Sequence, residues 1–168
     1  MRTATGADVA IMNGGGIRAD RTYDAGSTLT RRDILTELPF GNTIAVTEIP
    51  GSQLLEALEN GVSQVEKGAG RFPQISGMTL VYDAKAEPGK RVSSVMIGGV
   101  ALQADKLYRV AVNDYMLGGG DGYAALGGGK LINDTGAGAL VANVVMDYVE
   151  KAKTIKPAVE GRIKLLGQ

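Results

Sequence analysis

Residues 9–18 read VAIMNGGGIR and carry two signals that set the start of the fold. The apolar run 9–12 has the length of a buried strand, and three glycines end it. Glycines let a backbone approach a ligand closely, and successive N–H groups can form a nest for an anion. Arg18 adds a planar, charged fork that suits a carboxylate or a phosphate. A tight turn with a surface arginine accounts for the same residues, and the Gly-Lys-Ser/Thr ending of a P-loop is missing.

Short apolar or alternating runs predict six further strands. They cover residues 43–49, 78–82, 92–97, 100–102, 107–112 and 162–166. Gly98 and Gly99 separate two of these runs with the spacing of a two-residue hairpin turn. Because helices are interspersed with the strands, the predicted fold class is α+β, a mixed β-sheet with packed helices, in a single domain over residues 1–168.

Three helices are predicted between and after these strands. Thr30 and Asp33 have the spacing of a capping box, so a helix is expected over residues 31–38 until Pro39 stops it. Ser52 is placed to cap the next helix. One apolar face of that helix is formed by Leu54, Leu55, Leu58, Val62 and Val65. The last helix, of about four turns, is indicated by Val141, Val144, Val145 and Tyr148.

Residues 39–42, PFGN, lie between a helix stop and a strand start, where loops often hold functional groups. Phe40 is one of only two phenylalanines, and an exposed ring there can stack on a base. Asn42 can hydrogen-bond a ring edge or a hydroxyl. A core phenylalanine followed by a turn asparagine is the alternative interpretation.

Residues 113–123, NDYMLGGGDGY, carry a strand into a glycine-rich stretch that continues to residue 138. Tyr115 can form the second face of an aromatic clamp, and Asp121 can accept hydrogen bonds from ribose hydroxyls, because an ionised carboxylate only accepts. A loop with solvated acids fits the same letters. In residues 68–77, Gly70 allows close backbone approach to a ligand, although a turn into a strand explains that segment as well.

Composition excludes several kinds of site. The chain has no histidine and no cysteine, so Cys-His zinc sites and Ser-His-Asp triads are impossible. The acids show no EF-hand-like spacing, so no metal ligands are assigned. Lys plus Arg and Asp plus Glu both number 18, so binding to nucleic acid is not expected. No apolar run approaches the ~20 residues that span a bilayer.

Taken in order, these segments resemble the C-terminal domain of the 5′-nucleotidase family. That family includes bacterial periplasmic UDP-sugar hydrolases, 2′,3′-cyclic-nucleotide phosphodiesterases and animal ecto-5′-nucleotidase. The matching pieces are residues 13–18, 38–42, 70–77, 113–123 and a closing 157–163. The resemblance covers nearly the whole chain, and the ordered set is far more specific than any one piece.

The resemblance implies a nucleotide-specificity domain in which Phe40 and Tyr115 stack on the two faces of the base. Arg18 then helps to hold the nucleotide, Asn42 contacts the base, Asp121 holds the ribose and Gly70 offers a backbone contact. Several relatives carry Phe where this chain has Tyr115. A tyrosine stacks equally well, and its hydroxyl is expected to affect base preference.

The family's hydrolytic half is an N-terminal metallophosphatase domain with two divalent metal ions, and the lack of histidine means that it is absent from this chain. The chain is therefore expected to be a fragment bounded near the inter-domain hinge, to bind no cofactor and to be inactive alone. The resemblance also implies a periplasmic, secreted or cell-surface location. One alternative is a stand-alone nucleoside- or nucleotide-binding or interaction domain without catalysis. Another is an unrelated glycine-rich-loop nucleotide-binding enzyme, and the missing lysine motif and missing histidine argue against it.

Overall fold

The structure, a computed structural model, describes residues 1–132 and 138–167. The strands of this part are β1 (Val9–Asn13), β2 (Ile44–Pro50), β3 (Pro73–Ser76), β4 (Met78–Tyr82), β5 (Val92–Ile97), β6 (Val100–Ala101), β7 (Leu107–Asn113), β8 (Lys130–Leu131) and β9 (Ile163–Leu165). Its helices are α1 (Arg2–Thr5), α2 (Arg31–Glu37), α3 (Gly51–Val62), α4 (Asp114–Leu117) and α5 (Val141–Ala152). The predicted α+β class is confirmed, with the strands divided between two mixed sheets.

The first sheet has the strand order β3-β1-β7-β2-β8. β1 and β7 are parallel, with Val9 opposite Val110, whereas β2 runs antiparallel to β7, with Ile44 opposite Asn113. These three middle strands are mostly apolar and buried, as is usual for strands covered on both faces. The carboxyl ends of β1 and β7 and the amino end of β2 therefore meet at one end of the sheet. We call it the loop end.

The second sheet has the order β6-β5-β4-β9. β4 is antiparallel to β5 and parallel to β9. The predicted hairpin between β5 and β6 is confirmed. Gly98 and Gly99 both have positive φ angles, 59° and 81°, which is the backbone that a tight two-residue hairpin turn requires.

α3 packs against strands of both sheets and buries the main core. Leu54, Leu58 and Val62 of α3 are fully buried. Two details of the predicted face are wrong. Leu55 is 39% exposed, because a residue next to Leu54 points about 100° away around the helix, and Val65 lies beyond the end of α3 in a short 3-10 turn.

The predicted cap of α3 is also wrong, because the helix begins two residues earlier than the sequence indicates. Pro50 is the N-cap residue, and Ser52 lies in the first turn. The N–H groups of Gly51 and Ser52 are satisfied by the carbonyl oxygens of Lys106 and Ala104, both at 2.9 Å. A loop that supplies these acceptors replaces the side-chain cap.

α2 and α5 pack together on the other side of the first sheet. The capping box of α2 is confirmed: the backbone of Asp33 donates to Thr30 Oγ1, and the Asp33 carboxylate accepts from the Thr30 N–H. In α5, Met146 is buried, whereas Tyr148 is 64% exposed and does not belong to the packed face.

Four short elements were not predicted: α1, α4, β3 and β8. β3 is an edge strand that begins with Pro73, a residue that weakens a strand prediction. Part of the predicted glycine-rich stretch 118–138, residues 133–137, lies outside the described residues. Of the helices in the described part, none has both the length and the apolar character needed to cross a bilayer.

Candidate functional site

The glycine run at the end of β1 is fixed by close contact with residues 70–72. Gly15 N–H donates to Gly70 O and Gly14 N–H donates to Phe72 O, both at 2.7 Å. A Cβ on Gly15 would lie 3.0 Å from Gly70 Cα, so these two glycines let two backbones touch. The expected anion nest is therefore wrong in this form, because the protein itself uses two of those N–H groups.

Arg18 follows the glycine run and lies over Phe40. Its guanidinium carbon is 5.3 Å from the centre of the Phe40 ring, a cation–π geometry, and its Nε donates to Gly15 O at 2.5 Å. A guanidinium has five N–H donors, so this internal bond leaves most of them for a ligand. An open groove of about 510 Å³ runs beside Arg18, Gly15 and Gly70. That volume is in the usual range for a small-molecule site.

Phe40 is 55% exposed, which excludes the core interpretation of this residue. It borders a shallow recess together with Asn42, Leu38 and Met12. Leu38 and Met12 pack against buried residues of the core, so the recess has an apolar floor. Asn42 is held through its backbone, because its carbonyl oxygen accepts from the Val141 N–H at 2.9 Å.

Tyr115 and Asp121 bond to each other across the glycine-rich loop. The Tyr115 hydroxyl donates to Asp121 Oδ1 at 3.1 Å and accepts from the Asp121 N–H at 3.2 Å. Gly120 lies against the ring, where a Cβ would come within 2.5 Å of Tyr115 carbons. Half of the Tyr115 surface, 49%, remains exposed.

A buried pair of asparagines supports Asp121, and sequence reasoning did not select either as a site residue. Asn13 ends β1 and Asn113 ends β7, and both are buried. Asn13 Nδ2 donates to Asp121 Oδ2 at 2.7 Å, and Asn113 Nδ2 donates to Asn13 Oδ1 at 3.0 Å. The available signal was an asparagine at the end of two apolar strands, which is informative only once the strands are known to be parallel neighbours.

The loop that carries Asp121 is also tied to α3. Asn60 Nδ2 donates to Asp121 O, and Arg71 Nη1 donates to Asn60 Oδ1, both at 3.1 Å. Tyr123 is fully buried and its hydroxyl donates to Arg71 O at 2.6 Å. Burial, with a smaller contribution from the Asp121 charge, raises the pKa of the Tyr123 hydroxyl, so this tyrosine is a neutral structural donor.

The six residues selected from the sequence are joined at the loop end by a continuous series of contacts. Phe40 contacts Arg18, Arg18 bonds Gly15, Gly15 bonds Gly70, and Gly70 lies beside Asp121, which bonds Tyr115. Asn42 borders the same recess as Phe40. The structure thus brings together residues that span more than 100 positions of sequence, with exposed rings at both ends of the series.

The arrangement offers groups that can recognise a ligand. No histidine is present. In residues 1–132 and 138–167, no group of three or more His, Cys, Asp or Glu side chains is arranged to hold a metal ion. Rings, a guanidinium, amides and one carboxylate can bind a polar aromatic ligand.

Comparison with known proteins gives a consistent result. A sequence model of a family described as 5′-nucleotidase, C-terminal domain, matches residues 1–128. The chain is 40% identical over 169 residues to the trifunctional nucleotide phosphoesterase protein YfkN of Bacillus subtilis (strain 168), with 97% of this chain and 11% of that protein covered. It is 35% identical over 167 residues to the snake venom 5′-nucleotidase of Macrovipera lebetinus, with 94% and 40% covered.

Among solved structures, the fold matches the 5′-nucleotidase precursor from Thermus thermophilus with a TM-score of 0.90 and 37% identity. That match covers 99% of this chain and 33% of the other. The chain therefore spans well under half the length of each of these three proteins, and the similarity concerns one domain of each.

Proposed function

We propose a nucleotide-recognition role for this chain, which belongs to the family of 5′-nucleotidase C-terminal domains. In this proposal the chain binds the nucleoside part of the substrate of a phosphoric ester hydrolase. Hydrolysis, which removes phosphate from a nucleotide, is assigned to an N-terminal metallophosphatase domain that holds two divalent metal ions. The residues of this chain do not fit such ions, because histidine is absent and the described part contains no carboxylate cluster.

Each residue at the loop end has a proposed part in binding. Phe40 and Tyr115 stack on the base from two sides, and Asn42 hydrogen-bonds its edge. Asp121 accepts from ribose hydroxyls, as only an acceptor can. Arg18 lies against Phe40 and directs positive charge toward the nucleotide. Gly70 offers a backbone contact to the ligand.

The series of contacts from Phe40 to Tyr115 carries the proposal. The series joins two exposed rings through charged and polar groups, and these are the kinds of group that recognise a nucleoside, which has a flat apolar base and a hydroxylated sugar. The similarity to proteins named 5′-nucleotidase supports the same ligand class.

The location of the parent protein is part of the proposal. A periplasmic, secreted or cell-surface setting is supported by the venom origin named for one relative. A stand-alone binding domain without a hydrolytic partner is the competing possibility. The two differ in whether a metallophosphatase region lies upstream in the gene, so reading that region decides between them.

Titration of the chain with adenosine and AMP, followed by NMR chemical shifts, tests the proposal. Affinity should be weak, in the millimolar to high-micromolar range, because stacking contributes about 1–3 kcal/mol per base and association has an entropic cost. Phe40→Ala should lower the affinity for both ligands by about tenfold. The matched control is Tyr148→Ala, which removes an exposed ring from α5 and should leave both affinities unchanged.

Two results would contradict the proposal. One is a set of ligand-induced shifts that avoids residues 40–42 and 113–123 or ignores Phe40→Ala. The other concerns the assignment of hydrolysis to a separate domain. AMP incubated with the chain and Mn²⁺ should release no phosphate. Phosphate release that persists through repurification would show that the chain is itself a hydrolase.

A further inference from the structure

Asp121 has an unfavourable backbone for its residue type. Its φ and ψ angles are 54° and 20°, in the left-handed region that favours glycine. The residue stays there because three neighbours hold it: Asn13 and Tyr115 bond the carboxylate, and Asn60 bonds the carbonyl oxygen. A strained conformation that several contacts maintain is common where a side chain must be aimed.

The orientation of the Asn13 amide follows from a chain of donors and acceptors. The Met116 backbone N–H can only donate, and it donates to Asn113 Oδ1 at 2.8 Å. The Asn113 NH₂ group therefore faces Asn13 and must meet its oxygen, at 3.0 Å. This leaves the Asn13 NH₂ group facing Asp121, whose carboxylate can only accept. The Met116 N–H at one end of this series and the Asp121 carboxylate at the other therefore require the same orientation of the Asn13 amide.

The two carboxylate oxygens of Asp121 each receive one donor from the protein. Asn13 bonds Oδ2 at 2.7 Å and the Tyr115 hydroxyl bonds Oδ1 at 3.1 Å. An ionised carboxylate has about four acceptor positions, so each oxygen keeps one for a ligand. Two acceptor positions, one on each oxygen of a carboxylate that two hydrogen bonds hold in place, suit two neighbouring hydroxyl groups.

We propose that Asn13 is a positioning residue that orients the Asp121 carboxylate for the two vicinal hydroxyls of a ribose. The inference rests on the proposed function only for the identity of the ligand. Asn13 itself is buried and bonds Asp121, so it acts through that carboxylate and not by contact with the sugar. The consequence is that Asn13 should govern discrimination of the sugar and not stacking of the base.

The test compares two ligands that differ only in the sugar hydroxyls, adenosine and 2′,3′-dideoxyadenosine, on the full chain. Wild type should bind adenosine more tightly. In Asn13→Ala that preference should shrink by roughly five- to tenfold, about the net contribution of one hydrogen bond, because Asp121 loses the donor that orients it, while dideoxyadenosine affinity stays unchanged. Ile11→Val, a buried change on the same strand, is the control and should keep the wild-type preference.

A second measurement does not depend on whether Asn13→Ala folds. In the wild-type chain without ligand, the side-chain NH₂ resonances of Asn13 report its bond to Asp121. Asp121→Asn, which tolerates the left-handed backbone, should shift them upfield because the charged acceptor is gone. Unmoved Asn13 resonances would overturn the inference.

The remaining outcomes are also decisive. Equal weakening of both ligands in Asn13→Ala would show a purely structural role and overturn the inference, as would an unchanged preference. A wild-type chain that binds both ligands equally would overturn it too, since Asp121 would then not hold the ribose. In that case, shifts at Phe40 that depend on the base would still support the proposed function.

Discussion

The two ends of the contact series are built differently. We define the Phe40 side by Arg18, Phe40 and Asn42, and the Asp121 side by Asn13, Asn113, Tyr115 and Asp121. On the Phe40 side the one ring and the one charged group are exposed, and Arg18 bonds a residue only three positions away. On the Asp121 side the hydrogen bonds from Asn13 to Asp121 and from Asn113 to Asn13 join residues 108 and 100 positions apart.

This difference follows from the interactions that each side is proposed to make. Stacking depends on exposed apolar area and tolerates small shifts of the ring, so Phe40 needs little support. A hydrogen bond to a hydroxyl depends on distance and angle, so Asp121 needs a fixed geometry. A buried amide network supplies it, because every member is satisfied by the next.

The largest effect is expected when Asn113, the innermost residue of the Asp121 side, is replaced. Asn113→Ala removes the N-cap of α4 and leaves the Asn13 oxygen without its donor. Loss of a cap costs about 1 kcal/mol and an unsatisfied buried polar group about 1–3 kcal/mol, so the free energy of unfolding should fall by about 2–4 kcal/mol. Urea denaturation measures it.

The matched control for that change is Asn42→Ala on the Phe40 side. It replaces the same residue type at a half-buried loop position, and it should alter the free energy of unfolding by less than about 1 kcal/mol. Equal losses in the two variants would remove the contrast between the two sides.

A smaller effect is expected for the Tyr115 hydroxyl. Tyr115→Phe keeps the ring and removes one donor from Asp121 Oδ1. The preference for adenosine over 2′,3′-dideoxyadenosine should fall by about two- to threefold, which corresponds to about 0.5 kcal/mol for one partly exposed hydrogen bond. Tyr148→Phe on α5 is the control, and a loss shared by both ligands would assign the hydroxyl to the base instead.

That prediction revises what the sequence indicates for this position. The resemblance assigns Tyr115 to stacking and suggests that its hydroxyl affects base preference. In the structure the hydroxyl is engaged by Asp121 through two hydrogen bonds, so its first effect falls on the group proposed to hold the sugar.

The sequence was most informative where one short segment determines its own structure. β1, β2, β4 and β7 are apolar runs of strand length, and the capping box of α2 spans four residues. The hairpin at Gly98 and Gly99 depends on two φ angles that glycine adopts freely. All of these could be predicted, because the determinants lie next to each other in the chain.

The sequence was least informative where the partner is distant. The start of α3 depends on carbonyl groups of residues 104 and 106, so Ser52 was wrongly taken as its cap. The N–H groups of Gly14 and Gly15 bond residues 72 and 70, so these two groups are not free to form an anion nest. The Asn13–Asn113 pair exists only because β1 and β7 are parallel neighbours, which no local pattern shows.

The capping box of α2 gives the Phe40 side a local, pH-dependent support. Asp33 caps α2, the helix that leads to Phe40, and its carboxylate accepts from the Thr30 hydroxyl and from the Thr30 N–H at 2.8 Å, with Arg21 at 3.1 Å. The Thr30 hydroxyl bond first, then the Thr30 backbone bond and the Arg21 charge, lower the pKa of Asp33 below its usual value. The folded state therefore favours the carboxylate. Its stabilisation is complete above the unfolded pKa of about 3.9 and is lost as the pH falls through the lower folded pKa.

The smallest effect is expected when this cap, which supports the Phe40 side, is weakened by Asp33→Asn. Asp33→Asn should be less stable than wild type at pH 6, and the difference should shrink as the pH falls below about 4. Urea denaturation of both proteins from pH 6 to pH 3 measures this difference, with Asp24→Asn, an exposed loop change, as the control.

NMR shifts in Asp33→Asn should change near α2 and Phe40 and not at Tyr115 or Asp121, because the capping box is local. Shifts that reach Asp121 would show that the two sides are mechanically coupled through Arg18 and Gly15, and that the contrast between them is false.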